Sequence, residues 1–410
     1  MHKETGAQQL NTPKRVRAHQ REWLKNVRER ADQGEPFGIF NGDDAEEIFN
    51  AMDIPFMVIN YWNQLIGTKQ MGVYYSDMLK KRGYPHDRFA WGLASTIDND
   101  PDTAPWGGLP TKAAIIVGST RADSEMRITE LWAREYGCTV WPLEFCLGTS
   151  LEKLLPPRWW EIIKDDWDKL IDPHKLDERI QEEKALITHL EVTTGKKFSM
   201  AKLGEAMDLL NEQMNYWKKA RDLIAETVPC PVSLRDQLAM YQVMWHRGTP
   251  MGRDLLKAYY EEVKERAEKG IAAFPGEKIR LMWMPGIPPQ WERFIEEKYN
   301  AVTVCSSFSA IAADCYARTV KNDDPMRALV SRHILLFVMS NDWMLKEAKL
   351  HKCNGTVGVK RGDSSITTKY FEENDMPYLE LPGDPAISMY RSDDEIKSLL
   401  SEFIETRLLS

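Results

Sequence analysis

The spacing of apolar positions changes character twice along the chain. From about Thr12 to Gln33 charged residues dominate and apolar ones are sparse, the pattern of a surface helix or leading arm. Asn41-Gly-Asp-Asp supplies a turn and an N-cap, and Ala45 to Met52 follows at helical spacing. Short apolar runs then predict strands at Pro55-Phe-Met-Val-Ile, Ala113-Ala-Ile-Ile-Val-Gly and Thr139-Val-Trp, with a helix from roughly Ser124 to Tyr136 between the last two. Strand, helix and strand joined by short loops make a βαβ unit, which implies a parallel sheet.

From about Pro156 to Lys269 strand signals vanish and long amphipathic periods take over, as in the stretch from Ser199 to Ile224. Phe274-Pro-Gly-Glu reads as a boundary turn, after which the first rhythm returns. Strands are expected at Ile279-Arg-Leu-Met-Trp-Met, Ala301-Val-Thr-Val-Cys, Gly355-Thr-Val-Gly-Val and Pro377-Tyr-Leu-Glu-Leu, the last of the series. Helices are expected at Gln290 to Tyr299, near Ile366 to Asn374, and from Asp393 to Leu408. The predicted class is α/β: two similar lobes, each a small parallel sheet flanked by helices, plus a helical section. The division is an N-terminal helical arm (1–35), a first α/β lobe (36–155), the helical section (156–272) and a second α/β lobe (273–410).

Composition narrows the function classes. Lys and Arg number 54 against 62 Asp and Glu, a net charge of −8, which argues against coating a phosphate backbone and so against a nucleic-acid partner. No stretch approaches the ~18 apolar residues that span a bilayer, and the N-terminus has no secretory h-region, so no membrane association and a cytoplasmic location are expected. The six cysteines, Cys138, Cys146, Cys230, Cys305, Cys315 and Cys353, form no CxxC pair and read as buried structural thiols.

Ligands of open parallel sheets bind beyond the carboxyl ends of the strands. That rule selects loops at Asn60-Tyr-Trp-Asn-Gln, Gly118-Ser-Thr-Arg-Ala-Asp, Pro285-Gly-Ile-Pro-Pro-Gln, Cys305-Ser-Ser-Phe-Ser and Lys360-Arg-Gly-Asp-Ser-Ser. The second and fifth combine small residues, cations and a helix start, a setting that suits an anion as well as plain N-capping. His86 lies in a polar turn, His246 near a helix end, and His333 in an apolar stretch as a core or pocket residue. Walker, GxGxxG, HExxH and GxSxG patterns are absent, so the residues by themselves name no reaction.

The order of these segments resembles the 2-hydroxyacyl-CoA dehydratase and benzoyl-CoA reductase subunit family, the 2-hydroxyglutaryl-CoA dehydratase D-component included. The resemblance runs through Gly34-Glu-Pro-Phe-Gly, Pro55-Phe-Met-Val-Ile, Trp62-Asn-Gln-Leu-Ile-Gly, Gly83-Tyr-Pro-His-Asp-Arg-Phe-Ala-Trp and Ala114-Ile-Ile-Val-Gly-Ser-Thr. It continues through Glu277 to Pro289, Cys353-Asn-Gly-Thr-Val-Gly-Val and Met376-Pro-Tyr-Leu-Glu-Leu-Pro-Gly-Asp. It implies two α/β lobes with an added helical part and a homologous partner subunit in a heterodimer or larger assembly. In the catalytic subunits it implies a [4Fe-4S] cluster held by three cysteines, charged by an ATP-driven activator. The substrate would be an acyl-CoA reduced to a ketyl radical in anaerobic metabolism, for dehydration or ring reduction.

This sequence departs from the pattern at the cluster. The family's cysteines fall near Phe89, Ala122 and Ser364, and none of the three is Cys. The carboxylate expected after the first strand is replaced in the region of Asn60 and Trp62. The favoured expectation is a cluster-free subunit with no cofactor in this chain, the [4Fe-4S] cluster residing in a partner. An alternative is an enzyme in its own right on an acyl-CoA with metal-free chemistry, its inter-lobe cleft lined by Trp62, Asn63, His86, Trp91, Arg121 and Ser364. Aromatic walls there would suit an aromatic acyl group. A third reading is a non-catalytic binding or regulatory homologue.

Overall fold

The computed structural model describes residues 9–42, 45–84, 90–92, 94, 102–110, 112–119, 123–143, 155–284, 287–335, 339–359, 365–384, 389–390 and 392–410. Its first half holds a four-stranded parallel sheet of β1 (Gly38–Phe40), β2 (Phe56–Val58), β3 (Ile115–Ser119) and β4 (Thr139–Leu143), in the order β2-β1-β3-β4. The flanking helices are α1 (Asn11–Asp32), α2 (Glu46–Ala51), α3 (Ile59–Thr68), α4 (Gly72–Lys81) and α5 (Asp123–Tyr136). The leading helix is more than a surface arm: Val16, Gln20, Leu24 and Val27 are buried along one face of α1.

The helical section contains α6 (Trp159–Ile162), α7 (Pro173–Thr194), α8 (Met200–Glu226), α9 (Leu234–Tyr241) and α10 (Pro250–Lys269). Its helices begin where a short polar side chain meets the first turn. Asp172, Ser199, Ser233 and Thr249 each accept an amide of their own helix, and Pro173 and Pro250 sit where a missing amide costs nothing. Gly248 has φ +66, and a Cβ there would lie 2.8 Å from the Ala206 carbonyl, so glycine is required where α8 and the start of α10 cross.

The second sheet joins β5 (Ile279–Met284), β6 (Ala301–Ser306), β7 (Gly355–Val359) and β8 (Tyr378–Leu381) in the order β6-β5-β7-β8, again all parallel. Its helices are α11 (Pro289–Tyr299), α12 (Ser307–Cys315), α13 (Pro325–Ile334), α14 (Asn341–Leu350), α15 (Ser365–Glu372) and α16 (Asp393–Phe403). A short antiparallel pair, β9 (Gly383–Asp384) and β10 (Met389–Tyr390), follows β8, which is therefore not the last strand. Strand residues alternate between two cores. Leu281 and Trp283 pack with Trp291, Ile396, Leu400 and Phe403, whereas Met282 and Met284 join the large core that extends through the helical section into the first sheet.

Both sheets place their first strand second and their third strand beside it, so each has a switch point between its first and third strands. The two-lobed α/β architecture expected from the sequence is the architecture found. Local differences remain. The segment Asn60–Gln64, expected as a loop, lies within α3, and Cys305–Ser309, also expected as a loop, is the end of β6 followed at once by α12. The latter starts tightly because Ser306 and Ser309 form a reciprocal capping box. The apolar run after Ile334 continues into residues 336–338, outside the described residues. Among the described residues, no helix is long and apolar enough to cross a membrane.

Candidate functional site: the carboxyl edges of the two sheets

Of the segments singled out from sequence, residues 85–89, 120–122, 285–286 and 360–364 lie outside the described residues, and with them His86, Phe89, Arg121, Ala122 and Ser364. Trp62, Asn63 and Trp91 are described. The first two lie on α3, which leaves the carboxyl end of β2. Asn63 is 7% exposed, and its Oδ1 accepts the backbone N–H of Gly92 at 2.8 Å. Gly92 itself fits because it lacks a side chain: a Cβ would stand 2.5 Å from the Trp132 ring. Trp91 donates from Nε1 to Ser76 Oγ at 2.8 Å, and its ring covers Gly72, where a Cβ would lie 2.6 Å away. Trp62 has no exposed surface. The structure therefore brings Asn63 and residues 91–92 together, and the three cleft candidates that are described, Trp62, Asn63 and Trp91, are all buried.

A buried ionic network joins α2, the helical section and α13. Glu46 and Glu47 stand in the first turn of α2, directly after the turn that leaves β1, where a helix N-terminus favours carboxylates. Arg247, which follows the turn Gln242–His246, reaches Glu46 Oε1 at 2.6 Å and Glu47 Oε1 at 3.1 Å. Arg332 of α13 reaches Glu47 Oε2 at 2.6 Å. All four side chains are fully buried. Both guanidinium groups also lie over the ring of Tyr316, at 5.2 and 5.8 Å from its centroid. The network continues through His333, whose Nδ1 meets Glu183 Oε1 at 2.9 Å, and Arg179, whose Nη2 lies 3.0 Å from the same carboxylate oxygen.

Burial opposes charge at these sites, and the partners decide the outcome. Burial would raise the Glu47 carboxyl, but Arg332 and Arg247 outweigh it and hold it well below the usual carboxylate range. Glu183 is likewise held down, against burial, by Arg179 and the bond from His333. Burial pushes the His333 imidazole down despite that bond. The Arg318 guanidinium is pushed down to about 9 by burial, with Arg332 nearby adding to the effect, and it donates to the carbonyls of Cys315 and Ala317 at 2.8 Å each. Sequence reading found only His333 of this set. The other signal available was charge in apolar surroundings, as in Arg332-His333 directly ahead of Ile334-Leu-Leu-Phe.

The resemblance would place the thiolate ligands of a cluster near positions 89, 122 and 364. Phe89 and Ala122 carry no donor atom, and a serine hydroxyl at 364 is no substitute for a thiolate. Burial pushes the Cys138 thiol up to about 11 and the Cys230 thiol up to about 12. It raises Cys305 well above the usual range, with the Cys353 thiol adding to the shift. Among the described residues, no group of three His, Cys, Asp or Glu side chains is placed to hold a metal ion.

Comparison with known proteins agrees with this architecture. The family model described as 2-hydroxyglutaryl-CoA dehydratase, D-component, matches residues 45–406. The chain is also 32% identical over 103 residues to the alpha subunit of (R)-2-hydroxyisocaproyl-CoA dehydratase from Clostridioides difficile. That match spans 25% of this chain and 25% of the relative. The extent of the family match settles the assignment: the chain belongs to the 2-hydroxyglutaryl-CoA dehydratase D-component family.

Proposed function

We propose that this chain is a cluster-free subunit of a heteromeric, cytoplasmic enzyme acting on an acyl-CoA thioester, with the [4Fe-4S] cluster carried by a homologous partner. The observation that carries the reading is the identity of three positions, Phe89, Ala122 and Ser364, where the resemblance calls for thiolate ligands. Free thiols at Cys138, Cys230, Cys305 and Cys353 suit a reducing compartment. An aromatic acyl group loses its main support, because the rings of Trp62 and Trp91 are committed to packing.

Iron and sulfide analysis of the chain purified alone tests the reading. Expected is neither iron nor sulfide in the isolated chain, and both in a complex pulled from the native host with a related subunit. Stoichiometric iron in the isolated chain would overturn it. Acyl-CoA turnover by the isolated, iron-free chain would replace it with a self-contained enzyme.

A further inference from the structure

Helix α1 lies ahead of residue 45, where the family match begins. Residues 14, 17, 21, 25 and 28 follow one another at spacings of three and four, which places them on one stripe of a helix. In this chain they are Lys14, Arg17, Arg21, Lys25 and Arg28, five cations in a row on a protein with a net charge of −8. At a rise of ~1.5 Å per residue the stripe is about 20 Å long. It flanks the buried face of α1, and Lys14 and Arg21 are exposed while Arg17 is half-buried. Lys25 is engaged by Glu22 and Glu29 of the same helix at 3.9 and 3.7 Å.

The other end of the stripe is fixed in place. Arg28 donates to the carbonyls of Trp106 and Gly108 at 2.7 and 2.9 Å, and the guanidinium of Arg21 lies 5.5 Å from the centroid of the Trp106 ring. Trp106 has φ +52, a left-handed conformation that is costly for a bulky residue and persists here under two bonds from Arg28. Arg21 is thus held against the Trp106 ring, which limits the freedom it would lose on binding.

The middle of α1 packs on the turn Gln242–His246, which touches the carboxyl edge of the first sheet. Gln20 donates to the Gln242 carbonyl at 3.0 Å, and the His19 and His246 rings are 4.6 Å apart. Trp245, in the same turn, packs against Gly42 just beyond β1, where a Cβ would lie 3.0 Å from its ring. This edge is where open α/β sheets take their ligands.

We propose that Lys14, Arg17 and Arg21 bind the phosphate groups of the CoA moiety, the diphosphate and the 3′-phosphate, at the rim of that edge. The inference rests on the acyl-CoA reading above. A linear, exposed cationic rim matches phosphates spaced along a nucleotide, and such contacts are salt-sensitive.

Calorimetric titration of the full chain with CoA, dephospho-CoA and pantetheine tests it, at low and high ionic strength. The variant K14E/R17E/R21E is compared with K202E/K257E/K349E, which carries the same net charge change elsewhere on the surface. Expected is a loss of CoA affinity of about tenfold or more in the first variant and none in the second, each exposed contact being individually modest. Expected too is that wild type prefers CoA to dephospho-CoA and that the first variant does not. Equal CoA affinity in wild type and K14E/R17E/R21E overturns the proposal while leaving the acyl-CoA reading intact. Loss of a co-purifying subunit by that variant at unchanged CoA affinity also overturns it, and reassigns the stripe to an acidic protein surface. Failure of wild type to bind CoA or pantetheine, alone and in its complex, sinks both the proposal and the acyl-CoA reading.

Discussion

Glu47 and Arg332, both without exposed surface, meet at 2.6 Å and tie the helix that follows the first strand to a helix that follows the second sheet's edge strand β6. Arg247 from the helical section binds the same carboxylate, so three parts of the chain share one buried charge centre. Such a pair is stabilising only while complete, because an ion left alone in the interior keeps its desolvation cost. R332M should therefore destabilise the protein by ~3–5 kcal/mol. The double variant E47L/R332M should recover a measurable part of that loss, with a coupling of at least ~1 kcal/mol in a double-mutant cycle of urea midpoints. Additive single and double effects would show that the pair is not coupled.

Asn63 and Gly92 make a second nonlocal tie, 29 residues apart in sequence. N63L removes the acceptor of a buried amide and should cost ~1–3 kcal/mol. G92A places a methyl 2.5 Å from the Trp132 ring and should cost ~1–3 kcal/mol through overpacking. If the clash is the cause, W132F should suppress the G92A defect and leave the N63L defect unchanged. Thermal melts of wild type, the three single variants and the two doubles with W132F decide the matter, and equal response of both defects to W132F would contradict the assignment.

These two ties also show what sequence could and could not reveal. Strand β5 was legible because Ile279–Met284 is six residues of nearly unbroken apolar character with a clear turn before it. Strand β1 was not, since Gly38-Ile-Phe is too short to carry a period. It is a strand because Gly38 has Phe56 on one side and Ile115 on the other. Asn60, Asn63 and Gln64 made the start of α3 look like a loop, yet Asn63 faces inward to a partner that no local pattern announces. The carboxyl-edge rule selected loops from single strands, whereas the Glu47–Arg332 centre depends on contacts between distant segments and left no motif.

The cysteines offer a chemical check on the absence of thiolates. Cys230, Cys305 and Cys315 have no exposed surface, and burial raises the thiols of Cys230 and Cys305. Titration of native protein with a disulfide reagent near neutral pH should leave these three unreacted for as long as the fold holds, since the thiolate is the attacking species. The unfolded protein should release the full six equivalents. Rapid modification of Cys305 in the native state, located by peptide mass, would contradict the burial and the raised thiol together.

His246 sets a pH dependence whose direction is fixed. It is buried beneath α1 beside His19, and burial first, then His19, pushes its imidazole down to about 3. In an unfolded chain the same group titrates near ~6.5. Between those values the unfolded chain holds a proton that the folded chain refuses, so stability is full above the upper value and declines as pH falls toward the lower one. One such histidine contributes a slope of ~1.4 kcal/mol per pH unit across that window. His351, pushed down to about 4 chiefly by burial, steepens the decline in all but the lowest part of it. Burial raises the Glu292 carboxyl to about 7 and lifts that of Glu296, so both bind protons in the folded chain over this range and oppose the decline. The histidine contribution is therefore read as the difference between wild type and a variant lacking the group, in urea midpoints from neutral to mildly acidic pH. H246F removes the titrating group while keeping a ring against Trp23, whose centroid lies 5.0 Å from that of His246. Its stability should fall less steeply with decreasing pH than that of wild type, and identical pH slopes for the two proteins would mean that His246 is not sealed beneath α1 in solution.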